Sequence, residues 1–242
     1  MIPAVPDLDL SGFDVLTFDC YGTLIDWEAG ILAALREALP SVEATDEALL
    51  EAFGRHEAAI EAGPYRRYRD VLAGTARAIA AELGAEVGED AVAAFGGSVV
   101  DWPAFPDSAA ALADLAARFR LGVITNCDDD LFAASERRLG VTFDPVVTAQ
   151  QTRRYKPNPR GFEVAFERIG LPTSRILHVA QSLFHDHVVA KRLGLRTVWV
   201  DRRSGRAGSG ATPPATAQPD LVVPDLRTLA DLAIAAIPAA GG

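Results

Sequence analysis

The sequence has little of several features that define whole classes of proteins. Only two of its 242 residues, Cys20 and Cys127, are cysteines, which is too few for a disulfide framework and favours a reduced, cytoplasmic protein. No run of 18 apolar residues is present, so no membrane-spanning helix is predicted. The acidic N-terminus, residues 1–14, lacks the basic start and the apolar stretch of a secretory signal.

Basic residues are also in the minority. The chain has 23 Lys and Arg residues against 33 Asp and Glu residues, which gives a net charge of −10. A protein with this excess of negative charge repels the phosphate backbone of nucleic acids and the headgroups of anionic lipids. We therefore expect neither a nucleic acid nor a membrane among its partners.

Hydrophobic residues make up 49% of the chain, and many fall into short runs separated by helical patterns. Each run is too short for a helix and rich in residues that favour strands. The predicted strands cover residues 15–18, 121–125, 146–147, 176–180 and 197–200. Continuous apolar strands alternating with helices predict an α/β fold with a right-handed, doubly wound parallel sheet. Asp107 is placed to cap the helix that precedes the second strand.

Residues 27–100 break this alternation, because their apolar residues recur only at helical spacing. The simplest account is a helical cap domain inserted after the first strand, with residues 1–26 and 101–242 forming the α/β core domain. An insertion at this place lies over the carboxyl ends of the strands, where doubly wound sheets bind ligands, and could act as a lid. Residues 204–219 are rich in Gly, Pro, Ser and Thr, which is typical of a flexible linker.

Four polar positions lie at the ends of predicted strands or in the loops that follow them. Asp19 comes directly after the first strand, and Thr125 ends the second. Lys156 precedes a helix, and Asp186 follows the fourth strand. Asp19 alone would be explained as a turn or helix-capping residue. Because the carboxyl ends of parallel strands share one edge of the sheet, we expect the four side chains to meet in one crevice.

In their order and spacing these segments resemble the motifs of the haloacid dehalogenase superfamily. The four motifs are Phe-Asp-Cys-Tyr-Gly-Thr at 18–23, Ile-Thr-Asn at 124–126, Lys156, and Ala-Gln-Ser-Leu-Phe-His-Asp at 180–186. The match covers roughly residues 13–200, and the motifs are specific together although each alone is weak. The resemblance implies a Rossmannoid α/β core with a helical cap, and it implies that Asp19 is a nucleophile.

Two departures from the superfamily's phosphatase pattern bear on the chemistry. Phosphatases have an acid–base Asp where this chain has Tyr21, and a Mg²⁺-binding Asp where it has Gln181. Without the metal, a phosphate at ~4 Å from Asp19 would be repelled by roughly 4 kcal/mol per pair of charges at an effective dielectric near 20. Tyrosine is also a poor proton donor to an alkoxide at neutral pH, whereas a halide leaves without a proton. The chain therefore resembles the 2-haloacid dehalogenase branch, which implies no metal and no other cofactor.

The mechanism that this branch implies is displacement at carbon. Asp19 would attack C2 of a small 2-haloalkanoate and expel halide, and water would then hydrolyse the ester. The resemblance implies that Lys156 keeps Asp19 ionised and that Asp186 orients Lys156 or the water. It implies that Thr23, Thr125 and Asn126 donate hydrogen bonds to the nucleophile or to the substrate carboxylate. It implies contacts with the small carboxylate substrate for Tyr21, Thr23, Asn126, Gln181, Ser182 and Arg55.

A cap arginine in this branch binds the substrate carboxylate or receives the halide, and Arg55 is the best candidate in this chain. Arg66, Arg67 and Arg69 compete with it, because the insertion is too loosely matched to choose among them. A surface salt bridge is the simpler explanation for any one of the four.

Two other functions stay open on the sequence. One is a Mg²⁺-dependent small-molecule phosphatase in which Asp186 and either Asp128 or Asp129 rebuild the metal site. The other is a non-catalytic protein that binds a small anion or a partner on the same scaffold. The resemblance also implies pairing as a homodimer, although no interface stripe stands out in the sequence.

Overall fold

The structure of the protein is a computed structural model, which describes residues 8–206 and 210–236. Expectations for residues 1–7, 207–209 and 237–242 lie outside the described residues. The core is a six-stranded sheet in which neighbouring strands pair in parallel. Its strands are β1 (Val15–Phe18), β2 (Arg120–Thr125), β3 (Val146–Thr148), β4 (Ile176–Ala180), β5 (Arg196–Val200) and β6 (Leu221–Val223). The predicted α/β fold with a doubly wound parallel sheet is confirmed.

The strand order β3-β2-β1-β4-β5-β6 puts β1 in the middle of the sheet. The chain moves outward from β1 through β2 to β3, then crosses to the other side of β1 to begin β4. This reversal is the topological switch point, beyond whose carboxyl ends doubly wound sheets bind ligands. The register places Phe18 of β1 level with Val123 of β2 and Val179 of β4, so the residues that follow these strands lie side by side.

Helices lie between most successive strands and cover the sheet. They are α1 (Trp27–Ala38), α2 (Asp46–Glu61), α3 (Tyr68–Glu82), α4 (Glu89–Gly97), α5 (Ser108–Ala116), α6 (Asp129–Leu139), α7 (Ala149–Thr152), α8 (Arg160–Ile169), α9 (Val188–Arg192) and α10 (Leu226–Ala236). The first four lie between β1 and β2, inside the segment for which only helices are predicted. Among the described residues, none of the helices is both long enough and apolar enough to cross a membrane.

The segments that enter and leave the four inserted helices run side by side. Ile25 forms an antiparallel bridge with Ala104, and the Asp26 backbone N–H donates to Pro103 O at 2.8 Å. Asp26 also caps the start of α1, because its side chain accepts a hydrogen bond from the backbone N–H of Ala29 in the first turn of that helix. These paired segments hold α1–α4, called the cap helices below, close to the end of β1.

The structure corrects two expectations about local segments. Asp107 precedes α5 but makes no capping bond there, because its side chain accepts hydrogen bonds from the N–H groups of Leu226 and Arg227 at the start of α10. The described part of the predicted linker is partly packed rather than solvated. Ala211 is fully buried, and a Cβ on Gly54 of α2 would lie 2.6 Å from Ala211 O. Small residues on both sides therefore allow this segment to dock against the cap helices.

Candidate active site

Asp19 directly follows the buried strand β1, and only 6% of it is exposed. Its backbone N–H donates to Val179 O at 3.0 Å, and its Oδ2 accepts a hydrogen bond from Thr23 Oγ1 at 2.6 Å. Gly22, between them, has a φ of 89°, and a Cβ there would lie 2.9 Å from the indole nitrogen of Trp27. Glycine alone suits this turn, which folds Thr23 back onto the carboxylate.

Lys156 places a buried ammonium group between two carboxylates. Its Nζ donates to Asp19 Oδ1 at 2.8 Å, to Asp186 Oδ1 at 2.7 Å and to the backbone oxygen of Ile124 at 2.8 Å. These three acceptors use all the N–H bonds of the ammonium group. The structure thus brings together three of the four polar residues that follow the predicted strands.

Burial and the neighbouring charges shift the pKa values of this trio. Burial raises the pKa of Asp19 against the opposing effect of Lys156, and the charge of Asp186 adds to the rise. Burial works against the ionised form of Asp186 as well, but Lys156 and His178 hold its pKa below the ordinary value. Burial alone would lower the pKa of Lys156, yet the two carboxylates raise it. The ammonium group is therefore charged, and the ionisation of Asp19 depends on it.

A buried histidine in β4 lies within hydrogen-bond distance of Asp186. His178 Nε2 lies 3.0 Å from Asp186 Oδ1, and His178 Nδ1 lies 3.0 Å from Thr17 Oγ1 of β1. The ring of Phe162 packs edge-on against the imidazole, with 4.9 Å between the ring centroids. The sequence analysis did not predict this role. The available signal was one histidine inside an otherwise apolar strand.

Cap helices α2 and α3 close the cavity above Asp19. Tyr68 donates through its hydroxyl to Glu57 Oε1 at 2.7 Å, and Asn126 Nδ2 donates to Glu61 Oε2 at 3.3 Å. The cavity is lined by Asp19, Tyr21, Trp27, Glu57, Glu61, Tyr68, Asn126, Lys156, Ser182, His185 and Asp186. The two cap glutamates were not predicted from the sequence, because acidic residues on an amphipathic helix usually form its solvated face.

The two polar residues that end and follow β2 do not contact Asp19. Asn126 bonds to the backbone of Lys156, accepting from its N–H at 2.7 Å and donating to its carbonyl at 3.2 Å. Thr125 Oγ1 is buried and has no hydrogen-bond partner within the described ranges. Of the three expected hydrogen-bond donors at 23, 125 and 126, only Thr23 donates to the nucleophile. Asn126 instead fixes the position from which the Lys156 side chain starts.

The remaining predicted contact residues have hydroxyl or amide groups that are engaged within the protein. The Tyr21 hydroxyl lies 3.1 Å from Ser135 Oγ, so its ring lines the cavity while its oxygen points away. Gln181 donates through its backbone N–H to Thr23 Oγ1 at 2.9 Å, and its side-chain oxygen lies 3.3 Å from Thr212 Oγ1. Ser182 Oγ accepts a hydrogen bond from the backbone N–H of His185 at 2.9 Å.

Arg55 lies outside the cavity. Its side chain is 57% exposed and donates to Glu82 of α3 at 2.7 Å. The residues of α2 that line the cavity occupy a different side of the helix. The structure therefore does not support the expectation that Arg55 receives a substrate carboxylate. Of the competing arginines, Arg67 and Arg69 both form ion pairs with Asp130, as expected of surface salt bridges.

The carboxylates considered for a Mg²⁺ site are engaged elsewhere. Asp128 is fully buried and accepts hydrogen bonds from the N–H groups of Tyr68 and Arg69 at 3.0 and 3.2 Å, so it caps α3 from the core. Asp129 accepts a hydrogen bond from Thr148 at 2.6 Å. In the part of the chain that the structure describes, no three His, Cys, Asp or Glu side chains form a group that could hold a metal ion. Asp128 and Asp129 are therefore not placed to rebuild a Mg²⁺ site together with Asp186.

Comparisons with known proteins show which family the sequence matches. Residues 13–186 match the model of the haloacid dehalogenase-like hydrolases, and residues 154–229 match a second model described as HAD-hydrolase-like. An (S)-2-haloacid dehalogenase of Xanthobacter autotrophicus is 28% identical over 241 residues, which covers 88% of this chain and 92% of that protein.

Two further proteins are similar to this chain, one over about half of its length and the other over most of it. The haloacid dehalogenase-like hydrolase domain-containing protein 3 of Danio rerio is 32% identical over 117 residues, covering 47% of this chain and 48% of that protein. The chain thus spans about half the length of that relative. The solved structure of the Xanthobacter autotrophicus L-2-haloacid dehalogenase with chloropropionic acid covalently bound has a TM-score of 0.76 at 24% identity, covering 91% of this chain and 98% of the other. This likeness supports the fold.

Proposed function

Because the chain belongs to the haloacid dehalogenase-like hydrolases, we propose that it hydrolyses a carbon–halide bond in a small molecule, with Asp19 as the nucleophile and without a metal ion. One observation carries the proposal. A buried ammonium group, Lys156 Nζ, lies 2.8 Å from Asp19 and 2.7 Å from Asp186. This position is the one from which a positive charge can keep a buried carboxylate ionised.

The first step forms an ester. Asp19 donates an electron pair from its carboxylate to the halogen-bearing carbon, the C–O bond forms, and the halide leaves with the electrons of the C–X bond. Thr23 and Lys156 hold the two carboxylate oxygens at 2.6 and 2.8 Å, so the attacking group is fixed before substrate arrives. No proton is needed by the leaving halide. This suits a site in which burial raises the pKa of Tyr21 well above its ordinary value and leaves it a poor acid.

The second step regenerates Asp19. Water attacks the carbonyl carbon of the ester, and the bond between this carbon and the ester oxygen, which came from Asp19, breaks. The alcohol product leaves with one proton of the water, and the other proton is released to solvent as Asp19 returns to its carboxylate form. Asp186 Oδ2 is buried and accepts no hydrogen bond from any described residue, so this oxygen is available to orient the water. Lys156 stabilises the negative charge that develops on the ester oxygen.

The charge balance of the site favours this chemistry over transfer of a phosphoryl group. Within the described part of the chain, Lys156 is the only cation that lines this cavity, and it is already shared by two carboxylates. A phosphate dianion would enter without a second positive charge to offset Asp19 and Asp186. The relatives named as (S)-2-haloacid dehalogenases make α-halo carbonyl compounds the first substrates to test.

The test is halide release from chloroacetate, chloroacetamide and both enantiomers of 2-chloropropionate, measured by ion chromatography with EDTA present. We expect release that EDTA leaves unchanged and that the Asp19→Asn variant abolishes. Asp90→Asn, a change at an exposed residue of α4, serves as the matched control and should retain full activity. Absence of halide from every compound, together with Mg²⁺-stimulated hydrolysis of p-nitrophenyl phosphate, would contradict the proposal.

A further inference from the structure

Two cap glutamates face the nucleophile across the cavity. Glu57 and Glu61 lie four residues apart on α2, so their side chains project from the same face of the helix. Both line the cavity together with Asp19, although they belong to the cap helices and Asp19 to the core. Glu57 is only 3% exposed. One buried and one half-buried carboxyl group thus lie where the part of a substrate remote from Asp19 would lie.

One carboxyl oxygen of each glutamate accepts a hydrogen bond from a described residue, and the other carboxyl oxygen accepts none. Glu57 Oε1 accepts from the Tyr68 hydroxyl at 2.7 Å, and Glu61 Oε2 accepts from Asn126 Nδ2 at 3.3 Å. No described residue donates to Glu57 Oε2 or to Glu61 Oε1. Asp186, which lines the same cavity and is fully buried, also has an oxygen without a partner within the described ranges. The cavity therefore offers several hydrogen-bond acceptors with no donor assigned to them.

Among the described residues that line the cavity, no cation is free to receive a substrate carboxylate. Lys156 is the only Lys or Arg among its lining residues, and its three N–H bonds are used by Asp19, Asp186 and Ile124. Burial lowers the pKa of His185 to about 4, so this imidazole is neutral at neutral pH. An anionic substrate would therefore meet Asp19 and Asp186 with no cation besides the shared Lys156 to offset their charge.

Burial raises the pKa of Glu57 to about 7 and raises that of Glu61 well above its ordinary value. The two carboxyl groups therefore tend to keep their protons in the free protein, and ionising both so close together costs free energy unless a ligand supplies positive charge. A bound ammonium group would donate hydrogen bonds to the open oxygens and restore the ionised form. The adjoining larger cavity, of about 640 Å³, shares Glu61 with the cavity of Asp19, and Arg153 and Arg154 are among the other residues that line it.

We propose that Glu57 and Glu61 form the receptor for a positively charged, hydrogen-bond-donating group of the substrate, so that the preferred substrate is an α-halo carbonyl compound that carries an alkylammonium group. This inference rests on the proposed function, because it assigns the group that the cap recognises while Asp19 attacks the halogen-bearing carbon. It makes the two glutamates specificity-determining residues of the cavity.

The test uses three compounds that share the α-chloro carbonyl group: chloroacetate, chloroacetamide and N-(2-aminoethyl)-2-chloroacetamide. Chloride release gives kcat and KM for the wild type, for Glu57→Gln, Glu61→Gln and the double variant. Glu82→Gln, whose residue pairs with Arg55 outside the cavity, is the matched control. Differences in the intrinsic reactivity of the compounds cancel when the kcat/KM ratio of ammonium compound to chloroacetate is compared between variants.

We expect this ratio to fall at least tenfold in the double variant, mainly through KM for the ammonium compound, and to stay unchanged in Glu82→Gln. An unchanged ratio in the double variant, or a wild type that prefers chloroacetate to both amides, would overturn the inference. If no compound releases chloride, the proposed function fails, and calorimetry with N-(2-aminoethyl)acetamide and acetate decides the receptor separately. Tighter binding of the ammonium compound that the double variant loses supports the receptor, and equal binding refutes it.

Discussion

Replacement of Lys156 by methionine removes the one cation that two buried carboxylates share. The side chains of Lys156, Asp19 and Asp186 are 3%, 8% and 0% exposed, so water cannot replace the lost ammonium group. Removing one partner of a buried ion pair costs roughly 3–5 kcal/mol of the free energy of unfolding. We expect a loss of this size in Lys156→Met near pH 8, where both carboxylates tend to ionise.

The loss should depend on pH, and its sign follows from the pKa shifts. In the wild type the pKa of Asp186 is lowered, so this group stabilises the fold above its ordinary pKa and loses that contribution as the pH falls. Without Lys156 the pKa values of both carboxylates are expected to rise, and each unit of rise costs about 1.4 kcal/mol above the new pKa. Protonation of one carboxylate relieves the repulsion at lower pH. The deficit should therefore be smaller at pH 5 than at pH 8 by about 1–3 kcal/mol.

Urea denaturation of the wild type and Lys156→Met at pH 5 and pH 8 measures both quantities. Lys191→Met is the matched control, because Lys191 pairs with Asp220 at 2.7 Å while its side chain is 32% exposed. This partly exposed pair should contribute no more than about 1 kcal/mol at either pH. A deficit in Lys156→Met that is equal at the two pH values, or no larger than that of the control, would refute the electrostatic account of the site.

Three further predictions concern the residues around this centre. Asp128→Ala leaves the first N–H groups of α3 without their acceptor and should lower the free energy of unfolding by about 1–2 kcal/mol, measured by urea denaturation against Asp128→Asn. Gly22→Ala puts a side chain on a backbone with a φ of 89° and should lower the free energy of unfolding by about 2 kcal/mol. The change should also displace Thr23, so halide release should fall. Unchanged activity would show that the turn tolerates a Cβ. In the folded protein the pKa of Glu57 is raised to about 7 from an ordinary 4.5, so the wild type should lose stability as the pH rises between these values. Glu57→Gln should remove this dependence, so its free energy of unfolding relative to the wild type should be about 1–3 kcal/mol higher at pH 8 than at pH 5. A difference in melting temperature between the two proteins that is the same at both pH values would contradict this prediction.

The sequence predicted the sheet well because its strands are buried on both faces and are therefore continuous apolar runs. β1 and β4 have the bounds that their apolar residues predict, and the other predicted strands extend by one residue. β6, Leu221–Val223, was not predicted, because three residues at the sheet edge give almost no pattern. Asp107 illustrates a second limit. Its position before α5 suggests a local cap, but a tertiary contact with the start of α10 takes the side chain instead.

The candidate site was predictable where its residues follow strands and unpredictable where they come from the cap helices. Asp19, Lys156 and Asp186 could be placed together because parallel strands end at one edge of the sheet. Glu57 and Glu61 have the spacing of an ordinary solvated helix face, and only the docking of α2 against the core turns that face inward. For the same reason Arg55 could not be assigned from its sequence position, because helix rotation relative to the core decides which side chains reach the cavity.

The most direct test of the central claim is mass spectrometry of the peptide that contains Asp19 after repeated turnover of a halogenated substrate in water enriched in heavy oxygen. If Asp19 forms the ester and water attacks its carbonyl carbon, the label enters the Asp19 carboxylate, and the first turnover delivers unlabelled oxygen to the product. Label that appears in the product from the first turnover while the Asp19 carboxylate stays unlabelled would show that water attacks the substrate directly, and the account of Asp19 as the nucleophile would be wrong.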